Sequence, residues 1–153
     1  MARVYVVRHA KAEKDSDSGA DADRELKGRG ERQAAWLAKE LSEGDQKPVI
    51  VFTSRFARAL ATARPIAEAC ACALEEAAVL ETGHDASSVI EMLAERPLDG
   101  PVALVGHNPQ LSEIVERLCG EEARGMWLRT GEVAVVDLDD DAGRLVGLMR
   151  MDD

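Results

Sequence analysis

The chain has 153 residues, 46% hydrophobic and 31% charged, which is enough for one domain with its own core and short for two. Its 19 Lys and Arg against 29 Asp and Glu leave a formal net charge of -10. That balance argues against a surface built to neutralise the phosphates of DNA, RNA or anionic lipid, so any phosphate bound here must sit in a local basic pocket.

Val4-Tyr5-Val6-Val7 reads as a buried strand that ends at Arg8-His9. Residues 11–23 carry no large apolar side chain and predict a mobile surface loop. After Gly28 and Gly30, Ala34, Leu37, Ala38 and Leu41 recur at helical spacing up to a C-cap at Gly44. Val49-Ile50-Val51-Phe52 is a second strand. Thr53-Ser54 then supplies an N-cap for a helix from about Arg55 to Cys70, which Pro65 should end or kink.

Residues 74–80 predict a short strand and residues 87–95 a helix. Val102-Ala103-Leu104-Val105-Gly106 is a third clear strand, followed by His107, Asn108 as N-cap and Pro109 at the first position of a helix. Residues 133–136 and 145–149, flanking the turn at Asp139-Asp140-Asp141-Ala142-Gly143, predict a hairpin. The alternation implies a three-layer α/β/α sandwich over residues 1–153, with a mostly parallel sheet and an antiparallel edge.

Cys70, Cys72 and Cys119 are an odd number, and Met1-Ala2-Arg3 leads straight into the first strand. Free thiols in a reducing cytoplasm are expected rather than a disulfide framework. Cys70 and Cys72 with the distant His84 do not match a zinc spacing. Trp36 and Trp127 read as packed or partly exposed aromatics, and 137–141 as a solvated hairpin. The apolar stretch 101–106 falls far short of the roughly 20 residues that cross a bilayer, so neither a membrane nor nucleic acid is an expected partner.

In open α/β sheets ligands bind beyond the carboxyl ends of the strands. Three strands here end in phosphate-competent residues: Arg8-His9, Ser54 leading to Arg58, and His107. A guanidinium grips two phosphate oxygens at once and stays protonated at any working pH, which suits Arg8 and Arg58. Arg58 and Asn108 each fall at the start of a helix, where free N–H groups favour an anion. Of His9 and His107, one suits a nucleophile that takes a phosphoryl group on a neutral ring nitrogen, and the other a protonated donor.

Val6-Val7-Arg8-His9-Ala10-Lys11 resembles the Arg-His-Gly/Ala signature of the histidine phosphatase, or phosphoglycerate mutase-like, superfamily. Asp23-Arg24-Glu25-Leu26-Lys27-Gly28-Arg29-Gly30 resembles its Asp-Arg-x-Leu-x-x-x-Gly block. Residues 53–63 resemble Ser-Pro-x-x-Arg-Ala-x-Gln-Thr-Ala, and Val105-Gly106-His107-Asn108-Pro109 the late Gly-His-x-Pro motif. Small size and Arg-His-Ala-Lys are most similar to the SixA-type phosphohistidine phosphatases.

The resemblance implies His9 as nucleophile and Arg8, Arg58 and His107 as the rest of a phosphate pocket, with no metal and no cofactor; Asn108 is expected to bind phosphate from its place at the helix start. Its substrate would be a phosphohistidine-bearing protein or a small phosphorylated molecule. Arg55 departs from the usual Pro and Ala61 from the usual Gln. Glu81 is the first candidate for an acid that protonates the leaving group, and Asp85 the second. The alternatives are a phosphomonoesterase for small metabolites and an inactive phosphate-binding relative.

Overall fold

Consecutive apolar residues in β1 (Ala2–Arg8) and β4 (Val102–Gly106) need cover on both faces of a sheet, because alternate side chains point opposite ways. A computed structural model, which describes residues 2–96, 98–139 and 142–152, shows how they obtain it. The other elements are α1 (Gly28–Glu43), β2 (Ile50–Thr53), α2 (Ala57–Cys70), β3 (Ala73–Glu76), α3 (Ala86–Glu95), α4 (Gln110–Cys119), β5 (Val133–Leu138) and β6 (Gly143–Met149). The strands form one sheet in the order β3-β2-β4-β1-β5-β6. Pairing is parallel from β3 to β1 and antiparallel from β1 through β5 to β6. This is the expected three-layer α/β arrangement.

Val4 and Val6 pack with Leu104, Phe52, Val89, Leu111 and Ile114 on the face covered by α3 and α4. Tyr5 and Val7 pack with Val51, Ala103, Leu37 and Ile66 on the face covered by α1 and α2. β1 therefore passes the chain to one face and the adjacent β4 passes it to the other, so a crevice opens between their carboxyl ends. Gly30 lets α1 meet the segment after β1, because a Cβ there would lie 1.9 Å from the Lys11 carbonyl oxygen.

Several local expectations change. α2 starts at Ala57, not Arg55, with Phe56 at the N-cap and no side-chain cap bond. Ser54 accepts a 3.1 Å bond from the Phe56 amide, but its hydroxyl is also engaged by His107, which pulls it into the site instead of the helix end. Pro65 does not end α2, which runs on to Cys70. The carbonyl that Pro65 leaves without an amide belongs to Ala61, a partly exposed residue.

Gly44 follows α1 in extended conformation (φ -73°, ψ 165°), so no left-handed cap forms there; Ala71 takes that role for α2 (φ 52°, ψ 44°). α4 begins at Gln110, with Pro109 rather than Asn108 at its N-cap. The segment 11–23 is mostly exposed as expected, yet it is tied back by an Ala12–Leu26 bridge and a 3-10 turn at Asp21–Asp23. Cys70 and Cys119 are buried and Cys72 is half-buried, all as free thiols. Trp36 packs against the α1–α2 core, whereas Trp127 is exposed. Asp140 and Asp141 of the expected turn lie outside the described residues.

Candidate active site

The parallel register sets Arg8 opposite Gly106 and Thr53 opposite Val105, so the residues after β1, β2 and β4 emerge side by side. The His9 amide bonds the Gly106 carbonyl at 3.0 Å and the Ser54 amide bonds that of Val105 at 3.0 Å. On the other side, the Gly131 amide reaches the carbonyls of Arg8 and His9 at 3.1 and 3.0 Å. Thr62 on α2 accepts a 2.9 Å bond from the Ala10 amide and donates to the Arg58 carbonyl at 2.8 Å, which locks the chain after β1 onto the helix that carries Arg58.

His9, Arg58 and His107 converge as the sequence indicates, and all three are buried, at 7%, 4% and 3% exposure. The two imidazole centroids are 5.2 Å apart. His9 Nδ1 lies 2.8 Å from the Ala10 carbonyl oxygen, which can only accept, so Nδ1 carries the ring proton. The lone pair is then on Nε2, which faces the Arg58 Nε–H at 3.4 Å. Burial, with smaller repulsions from His107, Arg58 and Arg8, pushes the His9 pKa down to about 3. His9 is neutral around pH 7.

His107 Nε2 is 2.8 Å from Ser54 Oγ. Ser54 Oγ accepts from the Phe56 amide and keeps a second lone pair and its own proton, so either Ser54 or His107 Nε2 can be the donor of this contact. His107 Nδ1 is buried and has no hydrogen-bond partner among the described residues. Burial and the Arg58 charge lower the His107 pKa to about 4, so the expected protonated donor is instead neutral in the free protein. Phe56, which the sequence reading passed over, meets His107 edge-on at 5.0 Å and lies under Arg58 at 5.1 Å.

Arg8 Nη1 donates to the Leu128 carbonyl at 3.1 Å, while its buried Nε has no partner among the described residues. Desolvation and the neighbouring Arg58 lower its pKa. The Asn108 side chain is engaged by the protein: Nδ2 donates to the same Leu128 carbonyl at 2.7 Å, and Oδ1 accepts from the Ser112 hydroxyl at 2.6 Å. It holds the segment that braces Arg8.

Glu81 is brought to the site's edge, close enough for its charge to raise the proton affinity of His107. Its carboxylate, however, is gripped by Arg55 through the amide (3.1 Å), Nε (2.7 Å) and Nη2 (3.0 Å). These donors hold it below the usual carboxylate range, against the requirement of an acid that carries a proton near neutrality. Asp85, the second candidate, precedes α3 with its residue exposed and its carbonyl 3.2 Å from Gln110 Nε2.

Asp21 was not foreseen. Its carbonyl accepts from Arg58 Nη1 at 2.7 Å and its Oδ2 from Nη2 at 3.0 Å, while Oδ1 accepts from Arg24 at 2.9 Å. The only signal for it was an Asp three residues before the Arg of the second motif block. No group of three or more His, Cys, Asp or Glu side chains placed to hold a metal occurs among the described residues. No helix among them is long and apolar enough to cross a membrane.

Residues 4–82 match the family "histidine phosphatase superfamily (branch 1)". The chain belongs to that superfamily. No curated protein sequence matches it significantly. Among solved structures, this histidine phosphatase is similar to a SixA protein of Agrobacterium tumefaciens assigned as a phosphohistidine phosphatase, with 26% identity, TM-score 0.84 and 97% of each chain covered. The protein histidine phosphatase SixA complexed with tungstate matches at 24% identity and TM-score 0.84, over 97% of this chain and 96% of that one. A mycobacterial glucosyl-3-phosphoglycerate phosphatase complexed with VO3 matches at 17% and 0.76, over 96% and 98%. The last two show a shared fold. The chain is thus a phosphatase with a SixA-like structure.

Proposed function

We propose that this phosphatase acts on phosphohistidine in proteins, with His9 as the nucleophile. The observation that carries the substrate class is the Arg55 grip on Glu81. An alkoxide leaving a phosphate ester needs a proton, and a carboxylate held by three donors does not supply one. An imidazole leaving phosphohistidine has a conjugate acid of pKa about 6.5 and departs with a proton taken from solvent. Similarity to the Agrobacterium SixA protein points the same way.

In this reading the phosphoryl group enters between Arg8, Arg58 and His107, whose charges and hydrogen bonds meet its oxygens. His9 Nε2 attacks phosphorus in line, the P–N bond of the substrate breaks, and the product histidine leaves. Water then attacks phospho-His9, which releases phosphate and restores the neutral ring. The Nδ1–H bond to Ala10 keeps the nucleophilic lone pair on Nε2 before attack and after hydrolysis.

The test is phosphate release from a phosphohistidine protein and from a panel of small phosphomonoesters by the wild-type protein and by His9→Ala, with chelator present. Preference for phosphohistidine, lost in the variant while its circular dichroism is unchanged, is the expected result. Preference for one ester moves the function to metabolite dephosphorylation. Phosphate binding without turnover on any substrate makes the protein a binding relative, and full activity of His9→Ala ends the nucleophile assignment.

A further inference from the structure

We propose that Arg55 sets the substrate class of this site: by holding the Glu81 carboxylate it keeps the enzyme from hydrolysing alkyl phosphate esters, and its removal turns Glu81 into a general acid. This rests on the phosphohistidine reading above and names the residue that enforces it.

Three observations meet here. First, the donors are all contributed by one residue. Backbone amide, Nε and Nη2 of Arg55 lie 3.1, 2.7 and 3.0 Å from Glu81 oxygens, and a proline, the residue of the family pattern at this position, has none of them. Second, the two side chains differ in exposure. Arg55 is 58% exposed and Glu81 13%, so the carboxylate belongs to the inner wall and its holder to the rim. Removing the guanidinium therefore opens no cavity in the core. Third, the chain that carries Glu81 lies against the strand end that carries His107: a Cβ on Gly106 would sit 3.1 Å from the Leu80 carbonyl oxygen, and Ser54, the neighbour of Arg55, contacts His107 Nε2 at 2.8 Å.

The groups that bear on Glu81 are few. Arg55 dominates, His84 adds a smaller effect of the same sign, and burial opposes both. Glu76 bears on Arg55 from the end of β3. Once the guanidinium is gone, burial and the negative charge of a bound phosphoryl group both favour the protonated carboxyl. The ester reaction then balances simply. His9 Nε2 forms a bond to phosphorus, the P–O bond breaks, and the leaving oxygen takes the Glu81 proton. The resulting carboxylate accepts a proton from the water that attacks phospho-His9.

The experiment compares wild type, Arg55→Met, Arg55→Pro, Arg55→Lys and the Arg55→Met/Glu81→Gln double variant. Arg55→Met keeps the apolar stem of the side chain, so an altered helix start in Arg55→Pro does not decide the matter. Three substrates are used: an alkyl ester (glycerol phosphate), an aryl ester whose leaving group needs no proton (p-nitrophenyl phosphate), and a phosphohistidine protein. Arg55→Met is expected to raise kcat/KM for glycerol phosphate at least tenfold, within the range of general acid catalysis, and to leave the other two substrates within a factor of about two. Its glycerol phosphate profile should fall at high pH as Glu81 loses its proton. The gain should vanish in the double variant and be smaller in Arg55→Lys.

No gain on glycerol phosphate, an equal gain on all three substrates, or a gain that survives Glu81→Gln each overturns the proposal. The ester ratio is read without reference to phosphohistidine. Failure of the wild type on phosphohistidine therefore counts against the proposed function and leaves the Arg55 result to stand or fall alone.

Discussion

Asp21 holds the outer edge of the Arg58 guanidinium, with its carbonyl 2.7 Å from Nη1 and its carboxylate 3.0 Å from Nη2, while the inner Nε–H edge faces His9. The fork is thus divided between a loop anchor and the reaction centre. A planar group held on one edge presents the other at a set angle, which is what bidentate recognition of a phosphoryl group requires.

Replacing Asp21 by Ala should lower kcat/KM about tenfold, close to the loss of one charge-assisted hydrogen bond. Asp21→Asn should recover part of that loss, since its amide oxygen still accepts from Nη2. Titration with inorganic phosphate checks the cause: the variant should bind phosphate more weakly. Tighter binding would show that Asp21 competes with the anion for Arg58 instead of orienting it.

Thr62 joins the chain after β1 to α2 with two bonds, from the Ala10 amide and to the Arg58 carbonyl, and is fully buried. Thr62→Ala leaves the Ala10 N–H buried and unpaired. The expected cost is about 1 to 3 kcal/mol in denaturant unfolding, with a fall in kcat because Ala10 also positions His9. Thr62→Ser, which retains the hydroxyl, should restore most of both.

His9 and His107 are buried as neutral rings, with pKa values lowered from 6.5 to about 3 and about 4. The unfolded chain therefore binds protons more readily than the folded one. Stability from this source is fully present above about pH 6.5 and is lost as the pH falls through about 4 and then about 3. Chemical denaturation at a series of pH values should show this decline, and His107→Gln should reduce it. kcat/KM should have no acid limb from His9 between pH 5 and 8.

Ala71 closes α2 at φ 52°, where a Cβ is crowded, and sits far along the chain from the reaction centre. Ala71→Gly should raise stability by about 0.5 to 1 kcal/mol with activity unchanged. A loss of stability in thermal unfolding would mean that the added freedom of the unfolded chain outweighs the relief.

The layered fold and the carboxyl ends of β1 and β4 are legible in the order of the residues. Val4 to Val7 and Val102 to Val105 are continuous apolar runs, and Ala34, Leu37, Ala38 and Leu41 mark one helix face; these patterns depend only on near neighbours and the period of the element. That order also places Arg8, His9, Arg58 and His107 at one crevice, since each ends a strand, directly follows one, or lies in the first turn of the helix after one. What only the tertiary structure decided is the state of those groups. The lone pair on His9 Nε2, the neutral His107, the hydrogen-bonded Asn108 and the ionised Glu81 depend on which donors and acceptors meet them. Arg55 meets Glu81 across 26 residues, Arg58 meets Asp21 across 37 and Arg8 meets Leu128 across 120. Burial sets the charge of both histidines, and it exists only once the sheet has closed against its helices.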